Sequence, residues 1–464
     1  MPTLPPLYTG HTWHAHQEDG VRRMLRMETE GTPCPPLEEA PGTTVYGGLQ
    51  CDGMGVGKTY QALGVIHQNP KPYSLILCPK SLIHQWVKCV QQIGSPCFII
   101  EDGSWVPTYY DITNMSAVYI TNYDALMGDK SLLVNSRTWD RIVLDESHRI
   151  RSHGSTLTAR VMGLRARIRW ALTGTPIVNR MSDAVSQFAF VGVPHTEHFN
   201  WVSSYYDPLI PLLVIHRPME SIRGIVTTVP PVPVIEDHVL EFRTTEEEDF
   251  YRGLQGLRDK IRYARESNMA ILAKLMRLRQ SSISPKIYMD ALRRQDPTYD
   301  KDWTIPSTKM AALAELVEDT PDGKFLVFCS FRDEMELVQG YLRRRCGVSA
   351  EVYHGGLSNA SRDETMVRAK TPACRVFLVQ IQCGGTGLNL QEFDHCILMC
   401  PWWTSALMEQ AIARTVRIGQ RKVVRVIHLI LAEEYADSIN IDRLMTEKAE
   451  NKRHMLEEFF SKCH

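Results

Sequence analysis

The 464-residue sequence lacks an excess of charge of either sign: 52 Lys and Arg stand against 53 Asp and Glu, for a net charge of −1. No global basic signal announces a nucleic-acid partner. A neutral chain can still present a basic groove, so any such case has to come from motifs. Long apolar runs are missing too. None approaches the roughly 18–20 residues that span a bilayer, so no membrane span is expected. The opening Met-Pro-Thr-Leu-Pro-Pro-Leu-Tyr has no basic region followed by an apolar stretch, and no secretory signal is expected. The closing Ser-Lys-Cys-His is no lipidation box. The twelve cysteines include no C-x-x-C pair, and no second pair follows Cys396 and Cys400 at finger spacing. Most sit inside apolar runs such as Ser74–Cys78 and Leu326–Cys329. They read as buried free thiols in a reducing compartment, with no zinc module. His11, His14 and His16 lie close together, but no carboxylate or thiol completes a metal set at useful spacing. Internal repeats and low-complexity tracts are absent. The expectation is a soluble, intracellular protein.

What is present is the ordinary material of a globular chain: 44% apolar and 23% charged residues. The length suits two to four domains, with more than one sizeable core. Short runs rich in Val, Ile and Leu recur between helical patterns. In the first half they are Gly47–Cys51, Ser74–Cys78, Cys97–Ile100, Ala117–Thr121, Arg141–Leu144 and Arg169–Thr173. In the second they are Lys324–Cys329, Glu351–His354, Arg375–Val379, His395–Met399 and Val423–Leu431. Such runs suit strands buried on both faces of a parallel sheet. The predicted class is α/β, with two doubly wound parallel-sheet lobes. Between them, Val229-Pro-Pro-Val-Pro233 marks a break. Thr244–Arg279 is charged and helically spaced, with Leu272, Leu275, Met276 and Leu278 as an apolar stripe. It reads as a helical connector or protrusion. The Pro-rich stretch Gly31–Gly42 reads as a surface loop.

Two segments carry phosphate chemistry. Cys51-Asp52-Gly53-Met54-Gly55-Val56-Gly57-Lys58-Thr59 follows a predicted strand and opens a helical pattern. Glycines such as Gly55 and Gly57 let backbone N–H groups wrap a phosphate, and the helix N-terminus adds positive potential. Lys58 can reach the β- and γ-phosphates, and the Thr59 hydroxyl can hold Mg²⁺. Asp52 stands where the strict Walker pattern has its first Gly. The bland alternative is a glycine-rich turn with a chance Lys-Thr. Val143-Leu144-Asp145-Glu146-Ser147-His148 ends another apolar strand. In P-loop enzymes an Asp so placed holds Mg²⁺, and the next carboxylate can polarise the attacking water. Adjacent acids are common in exposed loops, but here they follow the glycine-rich loop by some 90 residues, as paired motifs do.

The order of motifs resembles the Swi/Snf-type branch of the superfamily 2 helicase-like ATPases, over about Thr12 to Leu456. His16-Gln17-Glu18-Asp19-Gly20-Val21 is similar to H-Q-x-x-G-V, whose Gln reads adenine. The glycine-rich loop is similar to D-E-M-G-L-G-K-T, with Gly53 where the family has Glu. Cys78-Pro79-Lys80-Ser81-Leu82 with Gln85-Trp86 resembles a motif that contacts one DNA strand, and Thr121-Asn122-Tyr123-Asp124 occupies the place of a second. Asp145–His148 reads D-E-S-H against D-E-A-H. Leu172-Thr173-Gly174-Thr175-Pro176 with Asn179 matches L-T-G-T-P-x-x-N, thought to couple ATP state to lobe movement. RNA helicases of related branches usually carry Ser-Ala-Thr there, so this run favours DNA. Further on, Tyr353-His354-Gly355-Gly356 resembles Y-H-G-G, and Gly384 to Leu390 matches G-G-x-G-L-N-L. Glu409 to Gln420 resembles Q-A-x-x-R-x-x-R-I-G-Q. Gln410, Arg414 and Arg417 are spaced to share one helical face.

The resemblance implies two RecA-like lobes. Residues 1–46 form an adenine-recognition segment and loop, 47–228 lobe 1, 229–305 the linker or protrusion, and 306–464 lobe 2. It implies ATP and Mg²⁺ as cofactors. Gln17, Gly55, Gly57, Lys58, Thr59, Asp145 and Gln410 would bind them, with Thr59 and Asp145 on the metal. Lys58, Asp145, Glu146, Arg414 and Arg417 carry the chemistry, the two arginines reaching the transferring phosphoryl group. Double-stranded DNA is the implied partner, met by Pro79, Lys80, Thr121, Tyr123, His354 and Thr386. Trp402 and Trp403 read as a packing pair, with base stacking as the alternative. Nucleosomes, polymerases and other DNA-bound proteins are compatible cargo, in a nucleus or at a viral replication or transcription site. No chromatin-reading or ring-type zinc module is evident, and compact baculovirus transactivator-like and poxvirus triphosphatase-type members are similarly stripped. The rival readings are a strand-separating DNA or RNA helicase, a non-hydrolysing scaffold that binds DNA or a polymerase, and a motor acting mainly on a protein.

Overall fold

A computed structural model describes residues 3–36, 41–109, 116–196, 198–222, 230–255, 268–384, 389–402, 405–417, 420–432 and 440–463. The chain divides into two compact units. The first comprises Met1–Val229 with Lys452–His464, and the second Pro230–Asn451.

In the first unit the strands are β1 (Thr32–Cys34), β2 (Thr43–Gln50), β3 (Tyr73–Cys78), β4 (Cys97–Glu101), β5 (Ser104–Tyr109), β6 (Ala117–Asn122), β7 (Trp139–Asp145), β8 (Ala166–Leu172) and β9 (Val214–Ile215). They form one sheet in the order β1-β2-β8-β7-β3-β6-β4-β5, with β9 also paired to β2. The pairings are parallel except β1 with β2 and β4 with β5. Parallel neighbours need crossover connections, and helices such as Lys58–Gln68 and Ile83–Gln92 supply them. The central strands are apolar because both faces are covered: Leu75, Ile76 and Leu77, and Ile142, Val143 and Leu144, are all buried.

One buried ion pair fastens the first helix, Ala15–Thr29, to this sheet. Arg141 of β7 donates from Nε to Glu28 Oε1 at 2.7 Å, and from Nη2 to Oε2 at 2.5 Å. Trp170 Nε1 and Asn69 Nδ2 donate to the same carboxylate at 2.8 and 2.7 Å. A buried carboxylate is tolerable only when satisfied in this way.

The second unit holds β10 (Val234–Leu240), β11 (Phe325–Cys329), β12 (Ala350–Tyr353), β13 (Val376–Gln380), β14 (His395–Leu398) and β15 (Arg425–Leu431). Their order is β10-β15-β14-β11-β13-β12, and each pairing is parallel. All five residues of β11 are buried. The expected α/β class with two mostly parallel sheets is therefore what the chain adopts.

Four expectations change. The stretch read as a surface loop contains β1, whose Thr32–Cys34 pairs with Thr43–Val45. Pro33 is tolerated there because β1 lies on the sheet edge. The segment after Pro233 is not only helical: β10 extends the second sheet along the full length of β15. In the helix Asn268–Ile283 the core takes Leu278 and leaves Leu272 and Met276 exposed, so the predicted stripe is only partly used. Finally, the last residues join the first unit rather than lobe 2. The helix Ile441–Ser461 ends with Leu456 and Phe459 in the first unit's core, and Phe460 stacks on His216 at 3.6 Å. Apolar burial, which sequence order does not dictate, decides that assignment.

Candidate functional site

Sheet order, not chain order, assembles the site. Gln50 of β2 pairs with Leu172 of β8, and Leu172 pairs with Asp145 of β7. The glycine-rich loop, the Thr173–Pro176 run and the acidic pair thus leave the C-terminal ends of three adjacent parallel strands. Two strand spacings, roughly 10 Å, separate the outer two. This edge is where open α/β sheets bind ligands.

The loop after β2 turns through Gly55 at φ +76° and Gly57 at φ +97°, a left-handed region that glycine adopts without strain. Gly57 then caps the Lys58–Gln68 helix. Lys58 Nζ donates to the Asp52 and Gly53 carbonyls at 2.8 and 3.1 Å. Burial lowers the Lys58 pKa, while Glu146, Asp52 and Asp145 oppose that shift by favouring the charged ammonium. A Cβ at Gly174 would lie 3.2 Å from Met54 Cγ and 3.5 Å from Lys58 Nζ, so the Thr173–Pro176 run passes directly beside the glycine-rich loop and its ammonium. An ammonium resting on loop carbonyls, among carboxylates and above a helix N-terminus, fits a Mg²⁺–phosphate ligand.

The acidic pair is held from behind. Trp86 Nε1 donates to Asp145 Oδ2 at 2.8 Å, and the Tyr123 hydroxyl donates to the Asp145 carbonyl at 2.7 Å. Burial and the neighbouring Glu146 push the Asp145 carboxyl up to about 6. Glu146 adopts φ +52°, a left-handed turn that ends the strand line immediately after Asp145. His148 Nδ1 lies 3.2 Å from Thr173 Oγ1 and 3.4 Å from Glu146 Oε2. Burial, then Arg151 and Arg149, lower its pKa to about 4, so the ring is neutral at pH 7. Ser147 Oγ donates to Gln187 Oε1 at 2.7 Å, and Gln187 Nε2 donates to the Pro176 carbonyl at 2.6 Å. The acidic motif and the Thr173–Pro176 run are therefore joined by two independent bridges.

The first helix reaches the loop as well. His16 Nε2 lies 3.0 Å and Gln17 Nε2 3.2 Å from the Val56 carbonyl. A carbonyl only accepts, so both side chains donate to it.

Several of the expected DNA contacts are buried in the fold. Thr121 and Tyr123 are buried, at 3% and 1% exposure, and Tyr123 props the Asp145 strand. Pro79 is buried too. Trp86, in the first strand-contacting motif, spends its indole N–H on Asp145. Lys80 stays exposed and His354 half-exposed. Thr386, with residues 385–388, lies outside the described residues, as does Trp403. Trp402 carries the Arg279 guanidinium 4.0 Å over its ring, a packing role rather than a free stacking platform.

The helical-face argument for the second arginine set also needs correction. The helix covers only Ser405–Ile412, so it carries Gln410 but neither arginine. The chain then turns: the Ile412 carbonyl accepts from Thr415 Oγ1 at 2.8 Å as well as from the Thr415 and Val416 N–H groups at 2.9 and 3.0 Å. Arg414 and Arg417 sit on that turn, half-buried.

Sequence reasoning missed other residues. Asp183 accepts the N–H groups of Val178, Asn179 and Arg180 at 2.6–3.3 Å. Its position in the first turn of the helix Ser182–Val191 was the available signal. Arg217, which grips Asp52, gave none at 165 residues' separation. In the second unit, Arg332 and Arg362 flank the Gly355-Gly356 turn after β12. Arg362 Nη2 donates to the Gly355 carbonyl at 2.8 Å, and a Cβ at Gly356 would meet Arg332 Nη2 at 2.7 Å. Both cations lower the pKa of His354 after its burial does.

Among the described residues, no group of three or more His, Cys, Asp and Glu could hold a metal ion by itself. Nor is any described helix long and apolar enough to cross a membrane. All twelve cysteines are free, and all but Cys346, Cys383 and Cys463 are buried.

The SNF2-related domain model matches residues 16–229, and the helicase conserved C-terminal domain model matches residues 308–419. A "Probable global transactivator" of Orgyia pseudotsugata multicapsid polyhedrosis virus is 30% identical, over 96% of this chain and 91% of that protein. The mouse (Mus musculus) "SWI/SNF-related matrix-associated actin-dependent regulator of chromatin subfamily A member 1" is 26% identical over 82% of this chain. The match spans only 39% of the mouse protein's length. Among solved structures, the Sulfolobus solfataricus SWI2/SNF2 ATPase core in complex with dsDNA covers 99% of this chain and 98% of that one, at 20% identity and a TM-score of 0.43. The chain belongs to the SNF2-related, Swi/Snf-type branch of the superfamily 2 helicase-like ATPases, a family of DNA-dependent ATP hydrolases.

Proposed function

We propose that this chain hydrolyses Mg-ATP at the strand ends of its first unit and uses the cycle to move along double-stranded DNA. The observation that carries the ATP half is the Lys58 ammonium, which bonds the loop carbonyls after β2 and feels Asp52 there and Asp145 and Glu146 at the end of β7, two strands away in the sheet. Lys58 holds the β- and γ-phosphates of the substrate. Gly55 and Gly57 shape the backbone cradle, and Gln17 reads the adenine. Thr59 and Asp145 would hold Mg²⁺, which neutralises phosphate charge when bound. Glu146 orients the attacking water and accepts its proton. Arg414 and Arg417, with Gln410 beside them, answer the charge that develops on the transferring phosphoryl group. Such arginines are worth roughly 10³–10⁵ in rate.

The DNA half is supported by relatives whose names speak of chromatin and transactivation. It is also supported by Arg332, Arg362 and His354 gathered at one strand end of the second unit. Arg362 Nε is buried without a partner among the described residues, which suits a group awaiting a phosphate. Lys80 and Thr386 are further proposed contacts. Phosphate contacts carry little sequence information, so binding should be strongly salt-dependent and weakly sequence-selective. The work would be done in a nucleus or at a viral replication or transcription site.

The test is steady-state ATP hydrolysis by wild type and Glu146→Gln, with no nucleic acid, single-stranded DNA, duplex DNA or duplex RNA. Duplex DNA should stimulate wild type strongly and leave the variant inactive, and wild type should displace a triplex-forming strand ahead of it. Hydrolysis indifferent to every nucleic acid would sink the DNA track, and no hydrolysis at all would sink the enzyme.

A further inference from the structure

Arg217 stands far from every motif, at the end of the segment that begins with β9. Its guanidinium nonetheless meets three separate parts of the nucleotide site. Nε and Nη2 donate to Asp52 Oδ1 and Oδ2 at 3.0 and 2.7 Å, a two-pronged grip on the residue that opens the glycine-rich loop. Nη2 also donates to Gln61 Oε1 at 2.9 Å, on the helix that follows that loop. Nη1 donates to the His16 carbonyl, immediately before Gln17. The backbone reinforces the clamp: Gly53 N donates to the Arg217 carbonyl at 3.0 Å, and Cys51 N to the Ile215 carbonyl at 2.7 Å.

A second observation points the same way. A Cβ at Gly20 would lie 1.9 Å from Gln61 Oε1 and 2.5 Å from Arg217 Nη2. Gly20 has an ordinary backbone conformation, so its turn chemistry does not call for glycine. What calls for it is space: the first helix is notched where Arg217 and Gln61 pass. Asp52 itself is fully buried and is completed by Gln50 Nε2 at 3.2 Å and Gln61 Nε2 at 2.8 Å.

We infer that Arg217 is the positioning residue that locks the nucleobase-reading helix to the phosphate loop, with Gly20 as the notch that admits it. Through it the height of Gln17 over the loop is fixed, and so is the choice of purine. Gln17 is a short amide whose Nε2 is committed to the Val56 carbonyl and whose Oε1 accepts from His14 N at 3.3 Å, so what remains is the second lone pair of Oε1, an acceptor suited to the adenine amino group and not to the guanine carbonyl. A guanidinium fork can hold Asp52 and the His16 carbonyl together. An ammonium at the same place cannot span both.

This rests on the adenine reading of Gln17, and the experiment separates the two. The ratio of kcat/KM for ATP over GTP is measured for wild type, Gln17→Ala, Arg217→Lys and the double variant, with Gly20→Ala alongside and thermal melting as the check on folding. Arg217→Lys keeps the charge on Asp52, so it should melt close to wild type. It should lose about tenfold in purine preference, the worth of one charge-assisted hydrogen bond. The loss should appear in KM for ATP rather than in kcat. In the Gln17→Ala background Arg217→Lys should change the preference no further. Preference lost in Gln17→Ala but kept in Arg217→Lys and Gly20→Ala overturns the inference and leaves the adenine reading standing. Additive losses in the double variant also overturn it. No ATP preference in wild type overturns the adenine reading itself.

Discussion

Replacing Gly57 with alanine perturbs the site at one atom, and the size of the effect can be worked from the structure. The residue sits at φ +97° and ψ +35°. An L side chain in that left-handed region costs about 1–2 kcal/mol. The new Cβ would also lie 2.3 Å from Gln17 Nε2, so the amide has to swing away. Its bond to the Val56 carbonyl is then lost, which costs about 0.5–1.5 kcal/mol net. An empty loop can relax around the new methyl group, but a loop wrapped on phosphate cannot, so most of the penalty should fall on nucleotide affinity. Together the two costs predict a roughly 10- to 300-fold weaker Kd for ATP. Equilibrium titration with a slowly hydrolysed ATP analogue, on wild type, Gly57→Ala, Gln17→Ala and the double variant, measures it. The clash part should vanish when Gln17 is already alanine, giving a coupling of about 0.5–1.5 kcal/mol, while the backbone part persists. Affinity within threefold of wild type for Gly57→Ala, or strict additivity in the cycle, would refute the reasoning.

Other outcomes follow from the same geometry. Lys58→Ala should abolish turnover with the fold intact, and turnover above about a tenth of wild type in a coupled ATPase assay counts against the assigned site. Arg417→Ala should lower kcat far more than ATP affinity; equal losses argue against its role at the phosphoryl group. Arg141→Met leaves the Glu28 carboxylate buried beside Trp170 and Asn69 with no countercharge. It should destabilise the first unit by about 3–5 kcal/mol, read as a lower melting temperature, and adding Glu28→Gln should recover part of the loss. Glu334 is pushed up to about 7 by burial, with the Phe331 and Ser330 N–H groups opposing the shift. Its folded pKa exceeds the ordinary 4.5, so the unfolded state binds fewer protons between those values. Stability of the second unit should therefore fall by roughly 3 kcal/mol as pH rises from about 4.5 to 7, then level off. Glu334→Gln should flatten that slope in urea melts at stepped pH, and an unchanged slope would assign the titration elsewhere.

The sequence by itself determined the central strands of both sheets, the strand–loop–helix setting of the glycine-rich loop and the family. An apolar run such as Leu75–Leu77 has nowhere to go but a covered sheet, and a G-x-G-K-T turn between strand and helix has few other uses. These are local facts, set by residues adjacent in the chain. Local pattern misleads where the partner is distant. Tyr123 and Trp86 sit in motifs that resemble DNA contacts, yet both hydrogen-bond to Asp145, more than twenty residues away in sequence. Arg414 and Arg417 have helical spacing but follow a helix that stops at Ile412. Only the tertiary structure could set β8 between β2 and β7, and so bring three motifs to one edge. It alone sent Phe459 back to the first unit and Arg217 through the notch at Gly20. The physical reason is common to all of these. Buried charges and apolar side chains take whichever partner satisfies them in space, and periodicity along the chain carries no record of partners 165 residues apart.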